Sequence, residues 1–83
     1  MIIKEKDLYV IVANALECQL ESLKPDTGLH KHPDWDSLGQ IQIIIALEQS
    51  LNINIDDDNI LELTDMSSII RFCKDNNILV TAN

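Results

Sequence analysis

Leu8, Ile11, Val12, Ala15 and Leu16 recur at the spacing of one face of a helix, and they predict a first helical element. Asp7 is placed to cap its start. Leu20 and Leu23 carry the apolar pattern onward until Lys24-Pro25 stops it. From Pro25 to Asp36 the chain reads as a loop, with Pro25, Gly28 and Pro33 as breakers and Leu29 and Trp35 as apolar anchors. A loop that long in a small domain packs down or works.

A second helix is expected from Asp36-Ser37 to about Leu51, with either Asp36 or Ser37 as its cap. On a helical wheel Ile44, Leu47 and Leu51 form one face, while Leu38, Ile41 and Ile45 form another beside Gln42 and Gln49. That apolar arc is wider than the single stripe of an ordinary surface helix, so one part should meet the core and the other a partner. Asn52-Ile53-Asn54-Ile55 alternates like a strand, but no second strand pattern is there to pair with it. Asp56, Asp57 and Asp58 open a short helical turn reaching Leu63. Thr64 or Asp65 caps the last helix, whose stripe is Met66, Ile69, Ile70 and Cys73, and Asn76-Asn77 ends it. No element is assigned to the tail, residues 77–83. The expected fold class is all-α: a small bundle of three main helices plus one short helix, with a long loop between helices one and two.

Size and charge narrow what such a bundle can do. The 83 residues make one domain, 1–83, with a helical core over about 5–76. A domain this small hides only about 60% of the surface its unfolded chain exposes, which leaves little room for a deep, water-excluding enzyme pocket. Hydrophobic residues are 46% of the chain and aromatics 4%, so the core must be Ile, Leu and Val. The net charge of -8 is confined to one stretch. Residues 32–70 hold Asp34, Asp36, Glu48, Asp56, Asp57, Asp58, Glu62 and Asp65 without a single Lys or Arg. Such a field repels nucleic acid and anionic membranes and speeds encounter with basic protein surfaces. Cys18 and Cys73 form no CxxC pair and are expected as reduced thiols. With no signal-peptide pattern and no apolar run near the ~20 residues that span a bilayer, the expectation is a cytoplasmic protein that does not insert into membranes.

The stretch DWDSLGQIQIIIALEQSLNINI contains an Asp36-Ser37-Leu38 core, an Ala46-Leu47-Glu48 step and Ile55 after the following loop. It resembles the modification site and recognition helix of the phosphopantetheine-dependent carrier proteins: acyl, peptidyl and D-alanyl carriers. Pro25–Leu29, PDTGL, looks like the loop that precedes the site in that family, and Leu63–Phe72, LTDMSSIIRF, like its final helix. The resemblance runs from roughly residue 8 to residue 75. It implies a 4'-phosphopantetheine arm attached covalently to Ser37, with Asp36 and Leu38 completing the site. It also implies a partner surface that includes Leu38, Gln42, Ile45, Glu48 and Gln49, with Asp57 and Asp58 on the next helix.

The residues support that reading in their own right. A serine at a helix mouth offers its hydroxyl to solvent, and a phosphodiester there lies at the positive end of the helix dipole, worth about 0.3–1 kcal/mol. The plainer use of Ser37 is as an N-cap, worth about 1 kcal/mol. Gly39 either allows close approach of the arm or a partner, or is simply tolerated in a first turn. His30, Lys31, His32 and Asp34 do not make a metal ligand set. A hydrolase triad built on Ser37 lacks material for a cleft and an oxyanion hole. No catalytic residue is assigned. Cys18 and Cys73 lie on or near apolar stripes, which makes core packing their default role.

The family's fatty-acid carriers crowd acids along the helix after the serine. Here Gly39, Gln42, Gln49 and Ser50 stand at such places and only Glu48 is kept. The expectation is therefore a stand-alone, monomeric carrier in a specialised biosynthetic pathway, itself not an enzyme, presenting an acyl or aminoacyl thioester. Its partners would be a phosphopantetheinyl transferase, an acyl- or aminoacyl-loading ligase and a downstream transferase or synthase. The alternatives are a D-alanyl or peptidyl carrier, or an unmodified acidic helical adaptor.

Overall fold

Two short strands clamp the ends of the chain together in the computed structural model, which describes residues 2–82. Strand β1, Ile2–Lys4, runs parallel to β2, Leu79–Thr81, with Ile3 opposite Val80. Between them lie α1 (Glu5–Leu16), a single 3-10 turn (Leu20–Ser22), α2 (Ser37–Leu51), α3 (Asp57–Ile60) and α4 (Met66–Asp75). The bundle of three main helices and one short one is the expected class, and the strand pair is an addition to it. Three residues per strand are too few to show a period of two in the sequence. Residues 52–55 form no strand; Ile55 is buried and Ile53 half-buried beneath α2.

Helix α1 is shorter at its C-terminus and longer at its N-terminus than its apolar spacing suggests. Asp7 sits at the third helical position and accepts the Lys4 amide at 3.2 Å, so it serves the helix start from inside rather than as the N-cap. The helix stops at Leu16 because Glu17 turns left-handed (φ 53°), and the Glu17 and Cys18 amides fold back on Asn14 and Ala13. Leu23 still reaches the core from the loop that follows, whereas Leu20 is left in solvent.

That loop packs down, as its length required. Leu29 N–H donates to Thr64 O at 2.8 Å, Met66 N–H to Thr27 O at 3.0 Å and Ser67 N–H to Pro25 O at 3.1 Å, stitching residues 25–29 to the start of α4. Trp35 is fully buried. The core is aliphatic: Leu8, Val12, Ile43, Leu47, Met66 and Ile69 are all sealed from solvent. Along α2 the wide apolar arc divides as the wheel suggests. Ile43, Ile44, Leu47 and Leu51 face inward, and Leu38, Ile41 and Ile45 remain 65%, 55% and 48% exposed. Among the described residues no helix is long and apolar enough to cross a membrane.

Of the two possible caps for α4, Asp65 is the one used. Its carboxylate accepts the Ser68 amide at 2.7 Å, and the Asp65 amide donates to the Ser68 hydroxyl at 3.2 Å. The Ser68 amide bond holds the Asp65 carboxyl below its ordinary value, helped by the Ser68 hydroxyl, Lys31 and Arg71 and opposed by partial burial. A carboxyl lowered on folding stabilises the protein above its unfolded pKa, and that contribution fades as pH falls through the folded value. Asp65→Ala should therefore cost about 1 kcal/mol in urea unfolding at neutral pH. The difference from the parent should shrink once the solution is more acidic than the ordinary carboxylate range.

Candidate functional site

Which residue caps α2 decides what Ser37 is free to do. Asp36 is extended (φ -103°, ψ -168°), its carboxylate accepts the Gly39 amide at 2.8 Å, and its carbonyl accepts the Gln40 amide at 2.8 Å. Asp36 is therefore the cap and Ser37 the first helical residue. The Ser37 side chain is exposed, and among the described residues no hydrogen bond engages its hydroxyl. A serine released from capping, at the positive end of a 15-residue helix, is available as a nucleophile and as a tether for an anion.

The inner side of the same turn is closed by a residue that pattern reading passed over. Gln40 is buried, and its side chain uses both ends. Its Oε1 accepts the Trp35 indole N–H at 2.7 Å, while its amide donates to Leu63 O at 2.7 Å and to Ile60 O at 3.3 Å. Leaving such buried groups unpaired costs about 1–3 kcal/mol each. The sequence signal was present but faint: a glutamine on the core side of α2, five residues after the one tryptophan.

Gly39 is more than tolerated in its turn. A Cβ there would collide with the Asp34 carbonyl and lie 2.7 Å from Leu16 Cδ2. The glycine lets the end of α1 and the Asp34–Asp36 segment close on the first turn of α2.

Near this corner the fold gathers Cys18, His32 and Asp34, whose donor atoms lie within 4.8 Å of one another; the sequence pattern grouped His30 and His32 with Asp34 and left Cys18 to the core. His32 is already engaged at both ring nitrogens. Its Nε2 is 2.9 Å from Ser22 Oγ, and its Nδ1 accepts the Asp34 amide at 3.1 Å, which pins the loop beside Ser37. Cys18 is half-buried, while Cys73 is buried outright, which pushes its thiol up to about 11 and keeps it protonated at neutral pH.

The proposed partner residues divide. Leu38, Gln42, Ile45 and Gln49 are exposed along the outer side of α2, and Asp57 and Asp58 are exposed in the first turn of α3. Glu48 is different: half-buried, its carboxylate accepts the Ile55 amide at 2.9 Å and holds the 52–55 segment against the helix.

A family model described as "Phosphopantetheine attachment site" matches residues 6–73. The chain is similar to the acyl carrier protein of Helicobacter pylori strain J99, at 25% identity over 73 residues covering 88% of this chain and 94% of the relative. The acyl carrier protein of strain G27 is 22% identical with the same coverage. The family match covers nearly all of the stretch, about 8 to 75, that carries the resemblance.

Gly39→Ala separates packing from helix propensity. Propensity alone favours alanine by up to ~1 kcal/mol, whereas overpacking typically costs about 1–3 kcal/mol. Thermal and urea unfolding should show the variant destabilised; a stabilised variant would mean that the α1–α2 corner is looser than described.

Proposed function

The chain belongs to the phosphopantetheine attachment-site family, and from that premise we propose that Ser37 carries the covalent 4'-phosphopantetheine by which this acyl carrier protein holds its cargo. One observation carries the assignment: Asp36 performs the capping, so the exposed Ser37 hydroxyl is spent on nothing else. In attachment, Ser37 Oγ loses its proton and forms a P–O bond to the phosphopantetheinyl group of coenzyme A, and adenosine 3',5'-bisphosphate leaves. The chain's residues fit the product, because Ser37 lies at the positive end of α2, where the helix dipole favours an anion. When bound, the arm supplies a terminal thiol that holds an acyl or aminoacyl group as a thioester.

The remaining work is presentation. The chain itself performs no catalysis in this reading. A phosphopantetheinyl transferase installs the arm, a ligase loads it, and a transferase or synthase removes the cargo, all in the cytoplasm. Exposed Leu38, Gln42, Ile45 and Gln49 form the contact surface, with Asp57 and Asp58 supplying charge. Amides at positions 42 and 49 favour a specialised biosynthetic pathway over general fatty-acid synthesis, because partners of this face must rely on apolar contact more than on ion pairs.

Two measurements test the reading. Co-expression with a promiscuous phosphopantetheinyl transferase should raise the intact mass by one arm, mapped to the peptide containing Ser37. Ser37→Ala should stay folded and gain none; an arm on Ser22, Ser50, Ser67 or Ser68 overturns the site. Partner contact is tested by Ile45→Ala against Glu48→Gln. Burying an aliphatic side chain is worth up to about 1.5–3 kcal/mol, against about 0–1 kcal/mol for an exposed ion pair. Glutamine also keeps an acceptor for the Ile55 amide. Ile45→Ala should therefore weaken a cognate partner about tenfold with its circular dichroism unchanged, and Glu48→Gln should do less.

A further inference from the structure

A group tethered at Ser37 has two ways to run along α2. Helical spacing puts Gln40 at i+3 and Ile41 at i+4 from the serine, so the two residues divide its surroundings. Gln40 leads inward, continued by buried Ile44; Ile41 leads outward, beside exposed Leu38 and Ile45. The inward path begins at the side chain that binds the Trp35 indole and the carbonyls of Ile60 and Leu63. An aliphatic chain entering there would break all three bonds and offer no donor or acceptor in return. Farther in it would meet Ile43 and Leu47, which are packed without solvent contact.

We infer that Gln40 is a specificity-determining residue that keeps the cargo outside the bundle, so that this carrier suits short or polar acyl groups, aminoacyl groups among them, rather than long aliphatic chains. The inference rests on attachment at Ser37. A long chain denied the interior stays in water, where exposed apolar surface promotes association. A short or polar cargo carries no such penalty, and it remains accessible to the enzymes that must reach it. Gln40 acts through the loop and the 60–63 segment; it is not a group that touches the thioester.

The test loads the full-length protein enzymatically from coenzyme A thioesters of increasing length, acetyl to decanoyl, and from an aminoacyl thioester. Intact mass reports attachment separately from cargo placement. No added mass overturns attachment and this inference with it. On the loaded protein, the Trp35 indole N–H and the Gln40 side-chain amide resonances should not move with chain length. Cleavage of the thioester by hydroxylamine should stay within about twofold across the series, because only a cargo inside the fold is released through opening of the fold. Length-dependent shifts of those resonances, with decanoyl cleavage slowed tenfold or more, would overturn the inference. Gln40→Ala removes the bridging amide and should bring about that slowing for decanoyl. If the variant folds and cleavage is unchanged, Gln40 is not the excluding residue. If it fails to fold, the length series on the parent decides alone.

Discussion

Three hydrogen bonds made by one side chain tie together the loop before α2, the first turn of α2 and the segment after α3. The Gln40 amide reaches the carbonyls of Ile60 and Leu63, and its oxygen receives the Trp35 indole. A polar group buried among aliphatic residues is costly unless fully matched, and the same cost makes it selective when it is. Only one placement of the 60–63 segment and one orientation of the indole satisfy it. The tryptophan in turn anchors the loop end: its carbonyl accepts the His30 amide and its amide donates to His32 O. His32 then holds Ser22 and the Asp34 amide. The position of Ser37 is inherited from this chain of contacts, because Asp36 can cap α2 only where the loop delivers it.

Capping and chemistry are divided between neighbours. Had Ser37 capped the helix, its hydroxyl would be committed to a backbone amide and turned toward the helix. With Asp36 in that role, the carboxylate takes the Gly39 amide, and Ser37 keeps its hydroxyl while still lying at the positive end of the helix. Gly39 completes the arrangement from behind, since any side chain there would push the Asp34 carbonyl and Leu16 away from the first turn of α2.

What could be read from the sequence was what repeats. The helical stripes of α2 and α4, the burial of Trp35, the absence of a strand at 52–55 and the alternative of Asp65 as cap all follow from local spacing or residue type. What could not be read depends on contacts between distant segments. The pairing of Ile2–Lys4 with Leu79–Thr81 exists because α4 ends beside the start of α1. Helix α1 stops at Leu16 although Leu20 and Leu23 continue its pattern, because a left-handed Glu17 lets Leu23 reach the core from a loop. Glu48 read as a surface charge because nothing in the sequence announces that the Ile55 amide turns back to meet it. Ser37 stood out as a candidate because its signal is a short contiguous motif. Gln40 and Gly39 matter in part through Ile60, Leu63 and Leu16, all 20 or more residues away, and no local pattern encodes those contacts.

The outer face of α2 then raises a question of its own. Leu38, Ile41 and Ile45 form an exposed apolar row, a surface that invites two copies to pair. The same stretch of chain carries all the excess negative charge, eight acids with no Lys or Arg between residues 32 and 70. Two copies meeting through this row would bring both acidic fields together, including Asp57 and Asp58 exposed in the first turn of α3. For a basic partner of the kind proposed the situation is the opposite: the field is attractive, and the apolar row is there for short-range contact. On the proposal that Gln40 keeps the cargo outside the bundle, selectivity falls to this exposed face. In the proposed function, charge placement governs approach, and the row beside Ser37 governs retention.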